Sequence, residues 1–211
     1  MKKTILLVAV TIIMIGLTVR AYAGYYQPQQ RYNQQASHRG LYLGGGLGVE
    51  VPTGPDQNGY SAGFGWAIRI GYQFIKNLAV ELGYDQGVGS LSDQGVTGSW
   101  SFLELPYLDI KPIIPLSLNS DLYFLAGVSY ADNSASVTNP SVTFTLGPDI
   151  GFDLGIGYEY YITNNWSLGG ELIYHHLTST SASASPGGSV TLPYAVDGSA
   201  TSVNFAFLYH F

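Results

Sequence analysis

Eight recurrences of alternation between apolar residues and small or polar ones predict an all-β protein. The expected form is an eight-stranded antiparallel transmembrane β-barrel, wound as an up-and-down meander. Composition agrees. Only 10% of residues are charged, against about 25% in soluble domains. No run after residue 23 is long and apolar enough for a transmembrane helix. A barrel reconciles the two facts, because its lipid-facing residues are spread over every second position. In an exported soluble sandwich the outward face would be wet and charged. Here the face opposite the apolar one is mainly Gly, Ala and Ser.

Residues 1–23 have the layout of a secretory signal peptide: Lys2 and Lys3, an apolar run from Thr4 to Val19, and the small-x-small site Ala21-Tyr22-Ala23. A membrane anchor is the competing reading, but the run is short for a span. Without Lys2, Lys3 and Arg20 the chain keeps 5 basic residues against 14 acidic ones, a net charge of −9. That argues against nucleic acid as a partner. There is no Cys, so neither a disulfide nor a thiolate metal site can form. Residues 24–40, Gln-rich and aperiodic, are expected to be a flexible polar leader. Residues 41–211 are expected to be the barrel.

The strands follow in order. Leu41–Val51 sets Leu41, Leu43, Leu47 and Val49 against Tyr42, Gly44, Gly46, Gly48 and Glu50. Ser61–Phe74 is the clearest: Phe64, Trp66, Ile68, Ile70, Tyr72 and Phe74 alternate with Gly65, Ala67, Arg69, Gly71 and Gln73. Leu78–Gly87 places Ala79, Glu81, Gly83 and Asp85 on the inner face. Ser99–Lys111 is irregular, since Leu103, Leu105 and Tyr107 share a phase that Asp109 and Lys111 continue; a bulge near Pro106 would switch the faces. Leu122–Tyr130, Asp149–Tyr161, Trp166–His176 and Thr201–Phe211 complete the set. Each is about the length that crosses a bilayer when tilted.

Residues 75–77 and 162–165 read as tight turns. Residues 52–60, 88–98, 131–148 and 177–200 read as longer loops, and 112–121 as a long middle turn. Aromatics fall at the strand ends, as interfacial girdles do. Phe74, Tyr161, Trp166 and Phe211 are expected at one rim and Trp66, Tyr84, Trp100 and Tyr130 at the other.

Inside such a barrel there is just room for side chains, and charges there must pair. Arg69 and Glu81 share the inner face of one hairpin, so a contact is expected, with Glu50 or Glu171 close by; these four form the candidate lumen cluster. It reads as a polar plug, with a narrow ion path as the functional alternative. His175, His176, Thr178 and Ser179 are the only local candidates for a nucleophile and base. Their spacing is not that of a hydrolase, so no catalytic residue and no enzyme is expected. Adjacent His175 and His176 point to opposite faces of a strand. Neither a metal nor another cofactor is expected.

The segments "LPYLDIKPIIPLSLNSDLYFLAGVSY" (105–130), "GIGYEYYITNNWSLGGELIYHH" (155–176) and the ending "VNFAFLYHF" resemble the small OmpA-like outer-membrane β-barrel proteins. The resemblance spans about residues 41–211 and specifies architecture more than activity. It implies a barrel in the outer membrane of a Gram-negative bacterium, with both termini periplasmic. It further implies that Phe207, Tyr209 and Phe211 form a C-terminal signal for the outer-membrane assembly machinery. Many members carry a peptidoglycan-binding domain after the barrel; none follows Phe211 in this sequence. The expected partners are outer-membrane lipid, lipopolysaccharide and the assembly machinery, with host or surface ligands at exposed loops 131–148 and 177–200. The role expected is structural or surface-interacting. A narrow porin-like pore is the alternative, and a lipid A-modifying enzyme is a weaker one.

Overall fold

In a computed structural model of the chain, the described residues are 39–54, 59–93, 96–138, 142–185 and 188–211. The expected signal peptide and residues 24–38 of the leader lie outside them. Ten strands follow one another: β1 (Gly40–Pro52), β2 (Gly63–Ile75), β3 (Leu78–Asp93), β4 (Val96–Ser117), β5 (Ser120–Val137), β6 (Val142–Tyr161), β7 (Trp166–His176), β8 (Thr178–Ser185), β9 (Gly188–Asp197) and β10 (Ala200–His210).

Eight of them close a ring. Neighbours pair antiparallel in the order β1-β2-β3-β4-β5-β6-β7-β10, and β10 returns to β1 from Tyr42↔His210 to Pro52↔Ala200. Closure is required because lipid cannot satisfy an open edge of N–H and C=O groups. The last residue joins the seam: Phe211 N–H donates to Leu41 O at 3.0 Å.

Burial is inverted relative to a soluble domain. Leu47, Ile68, Val128, Leu154 and Phe205 are exposed on the outer wall, while Glu50, Arg69, Glu81, Lys111 and Glu159 are buried within. On β5 the outer apolar row runs from Leu122 to Tyr130 before Asp132 and Ser134 follow. That run matches the roughly 9–11 residues that a tilted strand needs to cross a bilayer.

β4 changes phase where expected. Its register with β5 shifts between Glu104 and Tyr107, so Trp100, Phe102 and Glu104 point inward on one side of the bulge and Tyr107, Asp109, Lys111 and Ile113 on the other. Pro106 sits in this gap, where neither neighbouring strand needs its missing N–H. Two girdle assignments are corrected. Trp100 and Tyr161 are buried and face the lumen: Trp100 Nε1 donates to Ser61 O (2.9 Å) and Tyr161 OH to Asp121 Oδ2 (3.1 Å). Phe74, Trp166, Phe211 and Tyr130 do face outward.

The connections are also corrected. β4 continues through Pro112 and Pro115 to Ser117, leaving a turn of only residues 118–119. Most of 88–98, 131–148 and 177–200 is strand rather than loop. β3 to β6 run on past the apolar belt, and the β8–β9 hairpin joins them when Thr143–Leu146 pair with Ala182–Ser185. Among the described residues, β9 ends the sheet with one free edge. Hydroxyls link these strands across the ladder, as Ser136 Oγ and Thr143 Oγ1 do at 2.9 Å. Alternating Val and Thr favour extended backbone without apolar burial, so a Ser/Thr-rich composition conceals the strand.

Candidate functional site: the charged lumen

The strands place their inward residues in two layers. The layer nearer the short turns holds both strong bases. Arg69 engages Glu171 with both terminal nitrogens, Nη2 donating to Oε2 at 2.8 Å and Nη1 to Oε1, and Nη1 lies 3.5 Å from Glu81 Oε2. Lys111 Nζ donates to Glu81 Oε1 (2.9 Å) and Glu159 Oε2 (3.3 Å). Tyr42 OH and Tyr123 OH each donate at 2.7 Å, to Glu81 and Glu171 respectively. Ser167 Oγ donates to Glu159 Oε1 at 2.6 Å, and His210 Nε2 lies 2.9 Å from the same oxygen. The Lys111 ammonium also sits 4.0 Å from the centre of the Tyr123 ring, a cation–π contact. Glycines make this packing possible. A Cβ on Gly71 would collide with the Tyr42 ring, and one on Gly157 with Tyr123.

The layer nearer the long hairpins is different. His175 Nδ1 lies 2.9 Å from Asp153 Oδ1 and 3.1 Å from Glu104 Oε2, and its Nε2 lies 3.0 Å from Ser202 Oγ. Ser129 Oγ donates to Glu104 Oε1 at 2.9 Å. Glu50, Asp85 and Asp109 are also buried, and the two aspartates line one small space with Asp153 and His175. Between the layers is a space of about 10 Å³, lined by Arg69, Asp85, Glu104, Asp109, Asp153 and His175 among others. That is room for about one water. Above it, Trp100, Phe102, Ala131, Leu177 and Ala200 pack into an apolar cap.

Of the candidate cluster, Arg69, Glu81 and Glu171 meet, and Glu50 stands apart. Neither Glu50 oxygen has a hydrogen-bond partner. Register explains this: Arg69 is opposite Gly44, six residues along β1 from Glu50, or about 20 Å at strand rise. Lys111 was missed as a lumen base. Restarting the alternation after the Pro106 bulge would have found it.

Ser202, His175 and Asp153 stand in hydroxyl–imidazole–carboxylate order, the arrangement used in acyl transfer. Ser202 is only 1% exposed, so this conformation offers a substrate carbonyl no approach. Of the external candidates, Ser179 Oγ donates to Asp149 Oδ2 (2.5 Å) rather than to a histidine. His176 lies between Ser199 Oγ (2.9 Å) and Thr178 Oγ1 (3.0 Å). Phe207 stacks on Trp166 with centroids 4.7 Å apart, and Tyr209 meets Phe211 edge-on at 4.9 Å.

A closed antiparallel ring, apolar outside and charged inside, defines a transmembrane β-barrel. The chain belongs to the outer membrane protein beta-barrel domain family, whose sequence profile matches residues 9–211. Its place is the bacterial outer membrane. Solved structures share the fold at low identity. Neisserial surface protein A (NspA) aligns with TM-score 0.59 and 14% identity over 81% of this chain and 97% of its own. OprG from Pseudomonas aeruginosa aligns at 0.54 and 14% over 83% and 99%. Ail, the attachment invasion locus protein of Yersinia pestis, solved with the heparin analogue sucrose octasulfate, aligns at 0.50 and 12% over 82% and 97%. Among curated protein sequences none matches the chain.

Proposed function

We propose that this protein is a plugged, non-catalytic barrel that carries an extracellular β-sheet for surface interactions, with both termini on the periplasmic side. The length of β4, β5 and β6 carries the reading. They run 22, 18 and 20 residues, about twice what a bilayer crossing needs. The lumen beneath them is filled by buried side chains, closely hydrogen-bonded in the half near the short turns. The external sheet also limits its partner. The chain has no Lys or Arg after Lys111, so β5 to β10 offer no strong cation to a polyanion such as the one bound to Ail. Serines, threonines and the free edge of β9 suit a neutral, hydrogen-bonding partner, such as an uncharged glycan or an extended peptide segment. Lipid surrounds the belt, lipopolysaccharide meets the outer rim, and the Phe207–Tyr209–Phe211 row is what the assembly machinery reads.

Two measurements test this together. In planar bilayers the purified protein is expected to show no stable single-channel steps; such steps would move the narrow pore ahead. On glycan and cell-surface arrays, wild type is expected to bind targets that a variant with a short turn in place of residues 180–195 does not. Equal binding by both would remove the surface-interaction reading. An altered lipid A profile in cells expressing the protein would instead favour an enzyme.

A further inference from the structure

We propose that the outer layer of the lumen is a site for one divalent transition-metal ion, held by His175, Asp153 and Glu104 with Asp109 facing it. The donor atoms come first. The candidate ligand atoms of Glu104, Asp153 and His175 all lie within 4.8 Å of one another, on buried side chains. His175 Nδ1 faces two carboxylate oxygens at once, Asp153 Oδ1 at 2.9 Å and Glu104 Oε2 at 3.1 Å. In the neutral tautomer with its proton on Nε2, donated to Ser202 Oγ at 3.0 Å, Nδ1 is free to ligate a cation shared with the two carboxylates. A cation there takes the place of the proton that would otherwise bridge Nδ1 and the carboxylates. The Nε2–H contact then fixes the ring, as second partners of metal-bound histidines do.

A second observation points to the same place. Asp153 Oδ2 and Asp109 Oδ1 are buried without a hydrogen-bond partner, and both residues line the small space beside His175. The register explains why they face each other. Asp109, Gly127 and Asp153 are directly opposite on β4, β5 and β6, and His175 follows on β7. Gly127 leaves the gap between the two aspartates, since a Cβ there would collide with Asp109 Oδ1. Charge agrees. Glu50, Asp85, Glu104, Asp109 and Asp153 are all buried in this half, where the only imidazole among the described residues is His175. The terminal nitrogens of Arg69 are already held by Glu171 and Glu81. Imidazole with carboxylates suits zinc or manganese.

The test uses untagged full-length protein, unfolded in urea with EDTA and refolded into detergent with Zn²⁺, Mn²⁺, Ca²⁺ or no metal. Folding is verified by the gel-mobility shift of the barrel, and bound metal is counted after exhaustive dialysis. The expected result is one Zn²⁺ or Mn²⁺ per chain and a raised unfolding temperature, since the ion binds only the folded state. Asp153→Asn and His175→Gln should each lower affinity by roughly tenfold or more, and His176→Gln should leave it unchanged. No retained metal in folded wild type, or retention by a folded Asp153→Asn/His175→Gln double variant, would overturn the site. Retention of Ca²⁺ alone would overturn His175 as a ligand.

Discussion

The two halves of one lumen solve the same problem differently. Near the short turns, two strong bases are shared among three glutamates, and two tyrosines and a serine donate to the same carboxylates. Near the long hairpins, five buried carboxylates face one imidazole, and several of their oxygens have no partner. Both regions lie inside the same eight strands, so the wall does not impose the difference. A network in which nearly every buried polar atom is paired, Arg69 Nε apart, needs little more. An unsaturated one is costly as it stands, and invites a proton, a water or an ion. The inner half is the part that the proposed plug rests on, and the outer half is where ligand chemistry is open.

The comparison can be broken from its strongest point. Glu171→Ala strips Arg69 of its two-point partner and should cost about 3–5 kcal/mol, because a buried charge is left behind; urea unfolding in detergent measures it. An unchanged midpoint would mean that water already reaches Arg69 and the plug is open. Next, Tyr123→Phe removes one hydrogen bond to a charged oxygen and should cost about 1.5–3 kcal/mol. The sign should reverse in the outer half. With EDTA present, Asp109→Asn should stabilise the barrel by roughly 1–3 kcal/mol, since an unpartnered buried carboxylate is removed; a loss of stability would show that Asp109 is already neutralised. The smallest effect belongs to the β8–β9 hairpin. Replacing residues 180–195 with a short turn should leave the barrel's unfolding within about 0.5 kcal/mol, because the ring closes through β7 and β10 without β8 or β9.

Much of this was legible from periodicity. Arg69 and Glu81 lie two positions off register on one hairpin, Arg69 opposite Gly83 and Glu81 opposite Gly71, so alternation and a short turn bring them together. The same rule turns Tyr42 and Glu171 inward. It misses Lys111, because one bulge at Pro106 shifts the phase of every residue beyond it. Glu50 was grouped with Arg69 because alternation reports the face and is silent on height along the barrel. The hairpins past the belt show no clean alternation, because a strand beyond the lipid needs no apolar outer face.

The sequence by itself determined that this chain makes a barrel, how many strands cross the membrane and, away from the Pro106 bulge, most of the side chains that turn inward, because a period of two follows directly from the geometry of an extended chain. The tertiary structure decided which inward residues stand at the same level. That depends on register and stagger between strands far apart in sequence, set jointly by turns, bulges and closure of the ring. Glu171 meets Arg69 across the lumen, and His175 meets Glu104 and Asp153, only because eight strands close at one particular stagger.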